Sequence, residues 1–84
     1  MTNRYEVFAL IDAERERQAE KWGSPHAWGQ GDCSSDGVAP TVKVAVILEE
    51  AGEIARAVLD QDDDGLRREL VQTAAVCVAW LEGL

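Results

Sequence analysis

The sequence predicts an all-α fold in which antiparallel helices form a four-helix-bundle-like core completed by oligomerisation. Three observations carry this expectation. Apolar residues recur at spacings of three and four in three separate stretches, about 4–22, 41–59 and 66–82. Glycine, proline and aspartate clusters punctuate the chain between them. The second and third stretches are apolar on most sides, which a lone three-helix domain of 84 residues cannot satisfy. The whole chain, 1–84, reads as one domain.

In the first stretch, Val7, Phe8, Ile11, Arg15, Gln18, Ala19 and Trp22 share one broad helix face. Thr2 or Asn3 suits the cap, and Glu6 suits the first turn. Gly23, closely followed by Pro25, ends the helix. Residues 23–40 form a long connection rich in Gly, Ser, Asp and Pro. Connections of that length are often functional or disordered. His26 and Trp28, with Trp22 at the threshold, argue for order.

The second helix follows Pro40, with Thr41 as its expected cap, and ends near Leu59. Leu48, Ala51, Ile54, Ala55, Val58 and Leu59 make its apolar face, widened by Val44, Ala45 and Ile47. Residues 60–65, Asp-Gln-Asp-Asp-Asp-Gly, read as a solvated turn. The third helix carries Leu66, Leu70, Val71, Ala74, Cys77, Val78 and Leu81 at helical period. Val76 and Trp80 make its far side apolar too. Cys77 reads as a small buried hydrophobe and Cys33 as a free thiol in a polar loop.

Against this apolar background two acidic spacings stand out. They are Glu49-Glu50-x-x-Glu53 on the second helix and Glu69-x-x-Gln72 on the third. Residues three and four apart share a helix face. A short connection makes the two helices antiparallel neighbours, so these side chains can point at one volume. A carboxylate against apolar surroundings is costly unless something positive meets it. Three carboxylates and one amide oxygen make an oxygen-rich shell of the kind Mg²⁺ or Mn²⁺ takes. The plainer alternative is a solvated acidic face. The single histidine and two distant cysteines match no usual zinc spacing. Asp60 to Asp64 lack the twelve-residue calcium-loop pattern.

Sixteen acidic residues against eight basic ones give a net charge of −8. That balance argues against nucleic-acid binding, which needs a basic footprint. The apolar run 73–81 is too short to span a bilayer. The polar start from Thr2 onward has no secretory-leader pattern, and two cysteines make no disulfide framework. No membrane partner is expected, and a cytoplasmic setting is.

The quoted acids, together with Glu20-Lys21-Trp22-Gly23 and residues 46–57 and 66–76, resemble the MazG-like nucleoside triphosphate pyrophosphohydrolases. The family signature is Glu-Glu-x-x-Glu followed on the next helix by Glu-x-x-Asp. The resemblance implies that Glu50, Glu53 and Glu69 are the main Mg²⁺ ligands. It makes Glu49 a further carboxylate that reaches a second ion or orients the attacking water. Gln72 stands where the family usually has an aspartate ligand. The implied reaction cleaves an NTP or dNTP between the α and β phosphates, giving the monophosphate and pyrophosphate. The implied assembly is a dimer, or a tetramer built from two dimers, with pockets lined by more than one subunit.

Within that reading Glu49, Glu50, Glu53 and Glu69 carry the catalysis, with Glu49 as general base. Lys21 leads Lys43, Arg56, Arg67 and Arg68 as a phosphate-holding cation. Trp22 and Trp28 can stack on a base, with His26 and Gln18 as polar contacts. Each has an ordinary alternative: Trp22 as core, His26 and Gln18 as solvated polar groups, Arg56 as a partner for Glu53 or a neighbour. The competing function is a catalytically inert helical oligomer that senses nucleotides or acts as a protein adaptor.

Overall fold

A computed structural model describes residues 2–84. Its helices are α1 (Arg4–Lys21), α2 (Pro40–Leu59) and α3 (Asp63–Glu82). Two two-residue strands, β1 (Pro25–His26) and β2 (Gly29–Gln30), pair as an antiparallel hairpin inside the long connection. The expected all-α class therefore holds, with a small hairpin that sequence periodicity could not register.

Asn3 caps α1. Its Oδ1 accepts from the Glu6 backbone N–H at 2.9 Å while its Nδ2 donates to Glu6 Oε1 at 2.9 Å. The helix ends at Lys21, and Trp22 is its C-cap.

Two boundary expectations are corrected. Thr41 does not cap α2: Ala39 is the N-cap, and Pro40 takes the first turn, where its missing N–H costs nothing. α3 begins at Asp63 rather than Leu66. Asp62 is its N-cap and accepts from the Gly65 N–H at 2.9 Å. A Cβ on Gly65 would collide with that capping carboxylate, so the glycine belongs to the helix start and not to a turn.

The α2–α3 turn is thus only Asp60 to Asp62. The Asp62 N–H donates to the Ala57 carbonyl at 3.0 Å and the Gln61 N–H to the Val58 carbonyl at 3.1 Å. With Gln61 at φ 55°, this is a Schellman closure. It sets α2 and α3 side by side and antiparallel.

α3 is the central element. It packs on α2 and on α1, whereas α1 and α2 do not pack on each other. The buried core is thin and made of small residues: Ala57, Ala75, Val76 and Ala79, with Val38 from the connection. Several residues expected to face a core are open instead. Phe8 is 60 %, Leu48 66 % and Leu70 50 % exposed, and Cys77 is exposed rather than buried. The reason is geometric. α3 turns its small-residue face to its neighbours, which leaves several larger apolar side chains on each helix pointing outward, while others such as Ile11, Ile54 and Trp80 are half-buried. Among the described residues no helix is long and apolar enough to cross a membrane.

A candidate metal centre beside an aromatic cavity

Because α2 and α3 run antiparallel after a three-residue turn, Glu50 and Glu53 meet Glu69. One carboxylate oxygen from each lies within 4.8 Å of the other two. Glu50 and Glu69 are half-buried and Glu53 is exposed. Crowding of like charges shows in their proton affinity. The Glu50 carboxyl is pushed up to about 7, first by burial, then by its hydrogen bond with Glu69 and the charges of Glu53, Glu69 and Glu49. Glu53 is also pushed up, first by its hydrogen bond with Glu69. Carboxyls that hydrogen-bond to one another share a proton, and a cation would take that proton's place.

Gln72 sits one turn after Glu69. With its amide nitrogen toward the cluster, it donates to Glu69 Oε2 at 3.0 Å and to Glu50 Oε2 at 3.3 Å. Two carboxylates facing one amide are met by its donor, so without a cation the nitrogen faces inward; the oxygen, expected from the sequence as a ligand atom, would turn inward toward a bound cation.

The gap between α1 and α2 is a cavity of about 600 Å³. Glu49, Glu50, Glu53 and Gln72 line it from α2 and α3, and Glu69 stands just outside that wall. Gln18, Lys21 and Trp22 line it from α1, with His26 and Trp28 from the hairpin segment. The acids, Gln72, Gln18, Lys21, Trp22, His26 and Trp28 singled out in the sequence therefore fall in or against one cavity.

Gln18 donates from Nε2 to the Gln72 carbonyl at 3.3 Å, which ties α1 to α3 beside the acids. The Lys21 ammonium lies 5.1 Å from the Trp22 ring centre. Trp22 meets His26 edge-on at 5.1 Å and Trp28 at 6.4 Å. At 6.4 Å and 66° the two indoles cannot sandwich a base. Trp28, 61 % exposed, offers one open face for stacking.

The other basic candidates are placed elsewhere. Arg56 reaches Asp60 at 3.9 Å and not Glu53. Arg67 donates to Thr2 Oγ1 at 2.6 Å, and with Arg68 it lines a separate groove between α1 and α3. Lys43 is buried. Arg17 was not singled out from the sequence, yet it lines the cavity and pairs with Glu14 at 2.6 Å. Its place one turn before Lys21 on the same helix was the available signal.

Compared with known proteins, the chain matches no family model, no curated protein and no solved structure.

Proposed function

We propose that this chain is a Mg²⁺-dependent nucleoside triphosphate pyrophosphohydrolase of the MazG-like kind. The observation that carries the reading is the convergence of Glu50, Glu53 and Glu69 from two helices within 4.8 Å, against a cavity that also presents cations and aromatic rings. No basic side chain is paired with these three acids among the described residues. Hard oxygen donors of this kind fit Mg²⁺, and Mn²⁺ as a substitute.

When bound, a divalent ion neutralises phosphate charge and makes a bound water more acidic. The chain's own groups do the rest. Glu50, Glu53 and Glu69 hold the ion. Glu49, exposed and facing the same cavity, takes the proton of the attacking water. Lys21 and Arg17 hold the outer phosphates from the opposite wall. Trp28 stacks on the base beside Trp22 and His26.

The active form is a homo-oligomer, a dimer or a tetramer. A folded monomer of 9.2 kDa is expected to expose about 4,900 Å². This chain exposes 5929 Å². The excess matches one partner's share of a standard interface, about 800 Å². The outer face of α2 supplies the surface: Val44, Leu48, Ala51, Ala55 and Val58 follow a four-three spacing, on the side away from α3. Pairing there builds the four-helix core. The setting is cytoplasmic.

One observation favours the competing reading of an inert nucleotide sensor or adaptor: the Gln72 amide already satisfies two of the three carboxylates. Phosphorus-31 NMR of a mixed nucleoside triphosphate pool with enzyme and Mg²⁺ separates the two. Pyrophosphate and monophosphate in equal amounts support the enzyme. A spectrum unchanged with both Mg²⁺ and Mn²⁺ sinks it.

A further inference from the structure

Arg15 sits in the middle of the apolar stripe of α1, where a leucine would pack more cheaply. A buried ion pair is often matched in stability by apolar residues of similar volume. Its presence asks for another reason. The Arg15 Nη1 donates to Asp32 Oδ2 at 2.6 Å, and its Nε and Nη2 donate to Glu82 Oε1 at 3.0 Å and Oε2 at 3.2 Å. The side chains of Arg15 and Asp32 are only 12 % and 9 % exposed. Asp32 also accepts from the Ser34 N–H at 2.8 Å and the Ser34 hydroxyl at 2.5 Å. Both oxygens of that carboxylate are therefore held, Oδ1 by two donors of Ser34 and Oδ2 by Arg15.

The segment between α1 and α2 is a small unit knitted to itself. Gln30 donates from its backbone to the Gly37 carbonyl at 3.1 Å, Ser35 Oγ donates to the Gln30 carbonyl at 2.6 Å, and Gly29 bridges to Val38. Gly29, at φ 141°, lies so close to the Gly37 carbonyl that no Cβ would fit. His26 Nε2 lies 2.7 Å from the Gly31 carbonyl, and its Nδ1 accepts from the Trp28 N–H at 3.3 Å. Both bonds exist together in the Nε2–H tautomer. The aromatic cluster is thereby joined to Gly31, the residue before Asp32. Among the described residues, Arg15–Asp32 is the one side-chain hydrogen bond that ties this unit to a helix.

We propose that Arg15 is a positioning residue: through Asp32 it sets where the hairpin holds His26 and Trp28 over the cavity. The forked guanidinium is the operative feature, since it grips the loop and the end of α3 at once and a point charge cannot. The consequence for nucleotide binding rests on the function proposed above; the consequence for the hairpin does not.

The experiment uses the full chain labelled with 5-fluorotryptophan and read by fluorine NMR, which resolves Trp22, Trp28 and Trp80. The variants are Asp32→Asn, Arg15→Lys and Ser34→Ala, the last loosening only one bond to Asp32. Asp32→Asn and Arg15→Lys are expected to shift and broaden the Trp28 resonance while the far-ultraviolet helix signal stays that of the wild type. Ser34→Ala is expected to give a smaller shift in the same direction, and it remains informative if a stronger variant unfolds. With a nucleoside triphosphate and Mg²⁺, KM should rise about fivefold in Arg15→Lys with kcat within about twofold. A Trp28 resonance unmoved in all folded variants overturns the proposal, as does full function with lysine at position 15. A wild type that neither binds nor hydrolyses nucleotides would remove the function proposed above, and the fluorine spectra would still decide the role of Arg15.

Discussion

Gln72 and Glu69, three residues apart on α3, face each other with the amide nitrogen 3.0 Å from the carboxylate oxygen. That donor occupies the side of the acidic cluster from which an aspartate would otherwise add charge. Replacing it with a carboxylate changes both the metal-bound and the metal-free protein. Gln72→Asp is expected to tighten Mg²⁺ binding about tenfold, or about 1.4 kcal/mol. It should also lower thermal stability in chelator, because a fourth acid joins three that already repel. Calorimetric titration with Mg²⁺ and melting with and without it check the two halves. An unchanged titration places Gln72 outside the metal's donor set.

The raised Glu50 carboxyl, at about 7, gives a signed pH dependence. Its proton affinity is higher in the folded chain than in the unfolded one, so this group favours the folded state fully below pH 4.5. That contribution is lost as pH rises through about 7. Metal needs the deprotonated form, so Mg²⁺ affinity runs the other way and weakens below about pH 7. Urea titrations at pH 5 and pH 8 should therefore show the metal-free chain less stable at the higher pH, with Mg²⁺ restoring it there. Glu50→Gln should flatten both trends.

Gln61 occupies the left-handed position of the α2–α3 closure. An L side chain there costs about 1–2 kcal/mol, partly offset by the greater unfolded-state freedom of glycine. Gln61→Gly is expected to raise stability by roughly 0.5–1 kcal/mol, read as a shift in the urea midpoint at constant slope. A loss of stability would mean that the turn is not closed this way.

The outward stripe on α2 sets an expectation for assembly. Leu48, 66 % exposed, lies near its centre. Leu48→Glu is expected to convert a dimer or tetramer to a monomer in sedimentation velocity, because a charge buried in a self-pairing seam meets its own copy. A wild type that sediments as a stable monomer contradicts the oligomer and any pocket shared between subunits.

The helices were legible because periods of three and four need only apolar spacing. The meeting of Glu50 and Glu53 with Glu69 was legible because two spacings joined by a short turn leave little freedom. The start of α3 was not: three successive aspartates each offer a cap, and only the fit of Gly65 against Asp62 picks one. Arg17 escaped notice because an arginine three residues from Glu14 looks like an ordinary surface pair. Arg15 was read as one more member of a helix face, since its partners lie 17 and 67 residues away. The exposure of Cys77 was hidden because periodicity shows that a face is apolar but not what covers it.

The most direct test is the initial rate of pyrophosphate release from a panel of ribo- and deoxyribonucleoside triphosphates, measured against Mg²⁺ concentration for the wild type and Glu53→Gln. The expected result is saturable, Mg²⁺-dependent release by the wild type, reduced at least about a hundredfold in Glu53→Gln. No release by the wild type at any Mg²⁺ or Mn²⁺ concentration, or equal release by both proteins, would contradict a metal centre built on Glu50, Glu53 and Glu69.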